Sequence, residues 1–173
     1  MTLRAYVASL IVVAILAPVA ATDQTPQQPC NVTAPNGVVA GSSESQKESF
    51  GNPLLSVFGL WPNGAVIFRP GGPGFVTSDG ALGMKFLWIR GGRGKVQIAG
   101  RRVDHDSAAV PLRWAMHDYA DRGIQPSYLI FPTPGCWEVT GQLAGDNESK
   151  VTFVTRIVKE GEGPAWRLDP VER

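Results

Sequence analysis

The chain has 173 residues, of which 43% are hydrophobic and 18% are charged, with 16 basic and 15 acidic side chains. This length suits one domain and leaves little room for two. The near balance of charge argues against nucleic acid or an anionic membrane surface as a partner, because both are recognised through an excess of basic residues.

The first 21 residues have the order of a secretory signal peptide. Arg4 is the single early charge, residues 7–19 form an almost unbroken apolar run, and small residues up to Ala21 precede polar ones. This order predicts export, with cleavage after Ala21. The alternative, a retained membrane anchor, is disfavoured because the run is shorter than the about 20 residues of a bilayer span and contains Pro18 near its end.

Two cysteines, Cys30 and Cys136, remain after cleavage. Cys30 is separated from the apolar run by a Pro- and Gln-rich stretch, which argues against lipidation there. Removal of Arg4 leaves 15 basic and 15 acidic residues and a formal net charge of zero. Since exported proteins meet an oxidising compartment, we predict a Cys30–Cys136 disulfide; two unpaired buried thiols are the alternative.

The mature chain divides by composition into three parts. Residues 22–53 are rich in Pro, Gly, Ser and Gln, which predicts an extended, partly disordered N-terminal arm. Residues 54–159 contain short apolar or alternating runs separated by Gly and Pro, and residues 160–173 form a polar tail. We therefore expect one folded domain between the arm and the tail.

The first half of this domain predicts a hairpin and a central strand. Residues 54–61 and 65–69 flank the turn Pro62-Asn63-Gly64, and Asn-Gly between apolar runs is a strong hairpin signal. Residues 80–90 alternate so that both faces of a strand are largely apolar, which is typical of a central strand. One face carries Leu82, Met84, Phe86 and Trp88.

The second half predicts further short strands. Residues 95–103 and 127–131 alternate, whereas residues 104–123 are hard to interpret apart from a possible strand at 111–116. Residues 136–143 and 151–159 predict a final hairpin. About seven or eight short strands and no convincing amphipathic helix together favour an all-β sandwich, with a small β-barrel as the alternative.

The final hairpin resembles the last two strands of immunoglobulin-like sandwiches, since the corner Pro134-Gly135 precedes a strand whose large residues alternate. A wider set of segments, over about residues 30–160, resembles a group of uncharacterised secreted bacterial proteins. These segments are Phe50-Gly51-Asn52, Trp61-Pro62-Asn63-Gly64, Ala81-Leu82-Gly83-Met84-Lys85-Phe86 and Phe131-Pro132-Thr133-Pro134-Gly135-Cys136-Trp137. The resemblance implies an immunoglobulin-like antiparallel sandwich and no catalytic residues.

The alternation of side chains along the first strand of the final hairpin predicts that the disulfide and the core lie on opposite faces of the sheet. Trp137 and Val139 share one face of the strand, and Cys136 lies on the other. If Trp137 is in the core, Cys136 is outside it, so a bridge would fix the N-terminal arm to the outer face of a sheet. The predicted core contains Trp137, Val139, Phe153, Phe86 and Trp88.

Two residue groups are candidates for ligand binding. Three tryptophans do not alternate in step with the predicted core residues: Trp61, Trp114 and Trp166. If exposed, their indoles could stack on sugar rings, although packing is the simpler role of large aromatic side chains. The segments Asp104-His105-Asp106 and His117-Asp118 carry metal-ligand atoms but lack a recognised ligand spacing. We therefore predict no metal and no other cofactor.

A third group is basic. It surrounds one predicted hairpin and could bind an acidic polymer, but charge also protects exposed sheet edges from association. Its members are Arg90, Arg93, Lys95, Arg101 and Arg102.

The sequence gives little support to an enzyme. It contains no Gly-x-Ser-x-Gly and no His-Glu-x-x-His motif, and Cys136 as a nucleophile would need a histidine beside it. The favoured function is a non-catalytic binding or structural domain of the bacterial cell envelope, secreted or periplasmic; its ligand and partner are unknown, and an envelope protein and a glycan are the candidates. An envelope hydrolase with a site built from loops and a carbohydrate-binding module are the alternatives.

Overall fold

The computed structural model describes residues 29–60, 63–104, 111–116 and 120–161. The strands in these ranges are β1 (Ser49–Gly51), β2 (Leu55–Phe58), β3 (Ala65–Phe68), β4 (Phe75–Val76), β5 (Leu82–Arg90), β6 (Val96–Arg102), β7 (Arg113–Met116), β8 (Gly123–Phe131), β9 (Gly135–Leu143) and β10 (Asp146–Lys159). None of the described segments forms a helix long and apolar enough to cross a membrane.

The strands form two sheets. One has the order β1-β2-β5-β8-β7, with β4 paired to β5, and the other has the order β3-β10-β9-β6. The strands β2-β5-β8-β7 and β6-β9-β10 follow the same chain order as the two sheets of an immunoglobulin constant-type domain. The prediction of an all-β, immunoglobulin-like sandwich is confirmed, and the described strands do not close into one barrel.

The predicted hairpin at Asn63-Gly64 is wrong. β2 pairs antiparallel with β5, whereas β3 pairs in parallel with β10, from Ala65 opposite Arg156 to Phe68 opposite Lys159. The chain thus changes sheet between β2 and β3, and the sandwich is not purely antiparallel. The carbonyl of Gly64 accepts the N–H of Arg156 at 2.9 Å, so the turn fixes the register of this parallel pair.

The sheet begins upstream of the boundary expected at residue 54. β1 pairs with β2, and the side chain of Asn36 binds the backbone of Gly51 in both directions, at 2.7 and 3.1 Å. The N–H of Ala40 donates to the hydroxyl of Ser56 at 3.0 Å. Part of the segment expected to be an arm is therefore docked on the sandwich.

Aromatic side chains from both sheets fill the core. The five predicted core residues, Trp137, Val139, Phe153, Phe86 and Trp88, are all buried. The ring of Phe153 lies 6.2 Å from that of Phe86 and 6.3 Å from that of Trp88. Gly141 faces Trp88 so closely that a Cβ there would lie 2.3 Å from the indole, so β9 needs a residue without a side chain at this point.

Candidate functional site

A disulfide joins Cys30 to Cys136, with the Cα atoms 5.6 Å apart, which confirms the predicted bridge. Cys136 lies on β9 next to Trp137, and Trp137 belongs to the main core whereas Cys136 does not. Cys136 is itself buried, at 2% exposed, so the bridge lies outside the main core cluster but its β9 end is covered. A disulfide is consistent with an oxidising compartment.

The segment that follows Cys30 runs along β10. Thr33 donates its N–H to the carbonyl of Val154 at 2.9 Å, and the N–H of Val154 donates to the Thr33 hydroxyl at 2.8 Å. A Cβ added at Gly64 would lie 2.4 Å from Val32, so this segment also contacts the start of β3. Hydrogen bonds and packing thus hold the arm beside the bridge.

A cavity of about 570 Å³ opens beside the disulfide. It lies at the end of the sandwich where β6 and β10 finish and β9 begins, because both strands run antiparallel to β9. Its lining includes both cysteines, Arg102 and Asp104 after β6, and Arg156 on β10. The volume falls within the range of about 300–1,000 Å³ that is typical of small-ligand pockets.

Arg102 and Asp104 form a two-point ion pair in this lining. Nε of Arg102 donates to Oδ1 at 2.6 Å, and Nη2 donates to Oδ2 at 3.4 Å. Burial acts to raise the pKa of Asp104, but hydrogen bonds from Arg102 and from the N–H of Cys136 outweigh it and hold that pKa below its ordinary value. Asp104 is therefore an engaged carboxylate whose charge is balanced by Arg102.

Arg156 and Lys159 supply the remaining charge of the described lining. Arg156 lies directly opposite Cys136 in the β9–β10 ladder, and its side chain is exposed. Within the described ranges Arg156 has no side-chain hydrogen bond or ion-pair partner. Of the described lining side chains three are cationic and one is anionic; Arg102 is paired with Asp104 and Lys159 has an interaction of its own, so Arg156 is the cation that no described residue binds.

Four of the five basic residues singled out in the sequence lie on or next to β6. This strand is an edge of its sheet, which agrees with a role for charge in protecting an edge. Arg101 pairs with Glu138 across the strands at 2.9 Å, and Arg93 lies 3.7 Å from Asp121. Because Arg93 and Arg101, like Arg102, have acidic neighbours, these arginines do not form a free basic surface for an acidic polymer.

The fifth basic residue, Arg90, is not part of that surface. It is only 3% exposed, and its guanidinium donates hydrogen bonds to four backbone carbonyls. These carbonyls belong to Gly94, Ala120, Arg122 and Gly123. Burial lowers the pKa of Arg90 and neighbouring Asp121 opposes this effect. Arg90 lies two residues after Trp88 on the same strand, so its side chain points to the same face as the buried Trp88.

Trp114 is the one candidate tryptophan among the described residues. It lies on the edge strand β7, is 42% exposed and does not line the cavity. Trp61 and Trp166 lie outside the described residues, as do both histidines of the candidate metal segments. In the part of the chain that is described, no three His, Cys, Asp or Glu residues are placed to hold a metal ion.

Fold and site together define an immunoglobulin-like sandwich in which a disulfide joins the N-terminal arm to β9 beside a cavity bordered by Arg156. Neither a scan against models of known protein families nor a search of curated proteins finds a match for this chain. Because one sandwich fold hosts many unrelated functions, the function must be argued from the cavity.

Proposed function

We propose that this chain is a non-catalytic binding domain exported to the bacterial cell envelope, and that the cavity beside the disulfide is its ligand site. The observation that carries the proposal is the cavity itself, about 570 Å³ in volume and bordered by a few charged groups. Concave sites of this size with convergent polar groups are where small ligands bind. The disulfide and the Arg102–Asp104 pair give its walls a fixed shape before a ligand arrives.

The composition of the lining supports binding over hydrolysis. Its described part contains no histidine, serine or threonine, and its one carboxylate, Asp104, is already engaged by Arg102. A general base must be able to reach the proton that it removes, and an activated nucleophile needs such a base beside it. The half-exposed Trp114 is the observation that favours the alternative of a carbohydrate-binding surface.

Export is supported by the signal-like order of residues 1–21, which lie outside the described residues, and by the disulfide. The resemblance to secreted bacterial proteins over about residues 30–160 points the same way. We place the mature domain in the periplasm or outside the cell on these grounds.

Export gives a direct mass prediction. Protein expressed from the full sequence in a Gram-negative bacterium should be recovered from the periplasm with an intact mass that begins at Thr22. That mass should be two hydrogens below the value for two free thiols, because Cys30 and Cys136 are bridged. Recovery from the membrane fraction with Met1 retained would contradict the export step.

Ligand binding is tested by a nuclear magnetic resonance screen on the isotopically labelled mature protein. Neutral, anionic and cationic sugars and short peptides are added, and both protein amides and ligand signals are followed. We expect a ligand to shift the amides of Gly135 and Arg156, which line the cavity, while its own signals persist unchanged for hours.

Two results of this screen would contradict the proposal. Shifts centred on Trp114 in place of the cavity would favour the carbohydrate-binding surface. The appearance of product signals would favour the hydrolase.

A further inference from the structure

We infer that the cavity binds an oxyanion, a carboxylate or phosphate group carried by a small polar molecule, with Arg156 as its principal contact. This inference rests on the proposed function, since it names the ligand class of the same site. It starts from Arg156, an exposed cation of the cavity lining that no described residue binds, beside an Arg102–Asp104 pair whose charges balance.

The single carboxylate does not compete for an incoming anion. Both oxygens of Asp104 are bound by Arg102, and the N–H of Cys136 also donates to this carboxylate. The side chain of Asp104 is 4% exposed, so its charge is turned away from solvent. Arg102 and Asp104 thus neutralise each other and act as positioning residues for the wall.

Arg156 has the complementary properties. It is exposed, it lines the cavity, and no described residue binds its guanidinium. A guanidinium presents planar paired donors that match the two oxygens of a carboxylate or phosphate, which an ammonium group cannot do. A cationic ligand would meet a like charge here, so the arrangement selects for anions.

Arg156 is bordered by both apolar and polar residues of the lining. Pro29, Pro134, Ile157 and Val158 contribute apolar surface to the same lining. Because Arg156 is exposed, water reaches its guanidinium, and a charge-assisted hydrogen bond to an anion here should weaken as salt is added. Carboxylated sugars and phosphate groups both carry the required oxygens, so the experiment must separate these two sources.

The test compares three probes at low ionic strength by amide shift titration: glucuronate, glucose and inorganic phosphate. Glucuronate and glucose differ by one carboxylate, so their comparison isolates the charge. We expect glucuronate or phosphate to shift the amides of Gly135 and Arg156 with a Kd at least about tenfold lower than that of glucose. The anion that binds with the lower Kd shows whether the natural ligand carries a carboxylate or a phosphate group.

Three variants assign the effect to Arg156. Arg156→Gln should weaken anion binding by about tenfold, and Arg156→Lys should retain part of it because charge remains without the planar fork. The control Arg93→Gln removes the same charge at the opposite end of β6, from a residue that does not line the cavity, and should leave binding unchanged.

Two results would overturn the inference. If glucose binds in the cavity as tightly as glucuronate, the site takes a neutral ligand, and the inference fails while the proposed function stands. If no probe shifts the cavity amides and the broader screen also finds no ligand there, the inference and the proposed function fail together. Equal affinity of Arg156→Gln and Arg93→Gln would remove Arg156 as the anion contact.

Discussion

Replacing Arg90 by methionine is expected to lower the free energy of unfolding by about 3–5 kcal/mol. Methionine retains an unbranched side chain but donates no hydrogen bond, so four backbone carbonyls lose their shared donor. These carbonyls lie in the turn after β5, in the segment that leads into β8 and at the first residue of β8. One guanidinium thus holds together two connections at the end of the sandwich opposite the cavity.

The measurement is urea unfolding followed by tryptophan fluorescence, with Arg93→Met as the matched control. The side chain of Arg93 is 72% exposed, so its replacement should change the stability by no more than about 0.5 kcal/mol. The free energy of unfolding of Arg90→Lys should lie between those of the two methionine variants, since the three N–H donors of the ammonium group replace part of the hydrogen bonds. Equal unfolding midpoints for Arg90→Met and Arg93→Met would show that the buried hydrogen bonds add no stability.

Loss of the Cys30–Cys136 bridge is expected to lower the free energy of unfolding by about 2–4 kcal/mol. The two cysteines are 106 residues apart, and closing a loop of about 100 residues removes around 4.7 kcal/mol of entropy from the unfolded chain in the simplest model. The double variant Cys30→Ser, Cys136→Ser should keep its β-sheet circular dichroism, because the bridge lies outside the main core.

Urea unfolding with and without dithiothreitol tests this expectation. The native protein should become less stable when reduced. Its free energy of unfolding should also fall more steeply with urea concentration, because the unfolded chain expands once the bridge is broken. The double serine variant is the control and should not respond to the reductant. Finding two free thiols on the unfolded, unreduced protein would refute the bridge in solution.

Alternation of residue types predicted much of this fold because it depends on local periodicity. In β5 the residues Leu82 to Trp88 alternate as predicted, and the strand has neighbours on both sides. In β9 the same reasoning placed Trp137 in the core and Cys136 outside it. Each inference needed only the two-residue period of a strand and the identity of the large side chains.

The remaining features depend on partners that are distant in sequence. Asn63-Gly64 does mark a turn, but turn chemistry does not reveal whether the next strand stays in the same sheet, and β3 instead pairs with β10. Arg90 resembles a surface cation by its charge, and only its position in phase with Trp88 and its distant carbonyl partners make it a buried residue. The cavity requires the register that sets Arg156 opposite Cys136, which no local pattern encodes.

The position of the disulfide also determines how the domain transmits tension. A force applied between the N-terminal arm and the chain beyond Lys159 enters the fold through the covalent bond at Cys136 and leaves through β10. The backbone of β1 to β8 lies between the two cysteines and is shielded from this load. The 106-residue separation corresponds to about 350 Å of extended chain that stays out of reach until the bond is reduced. Under oxidising conditions such a force can unfold only β9 and β10 among the described strands. A domain attached through its N-terminus would therefore extend by a short length, because the disulfide keeps the chain between the cysteines folded and out of the load path.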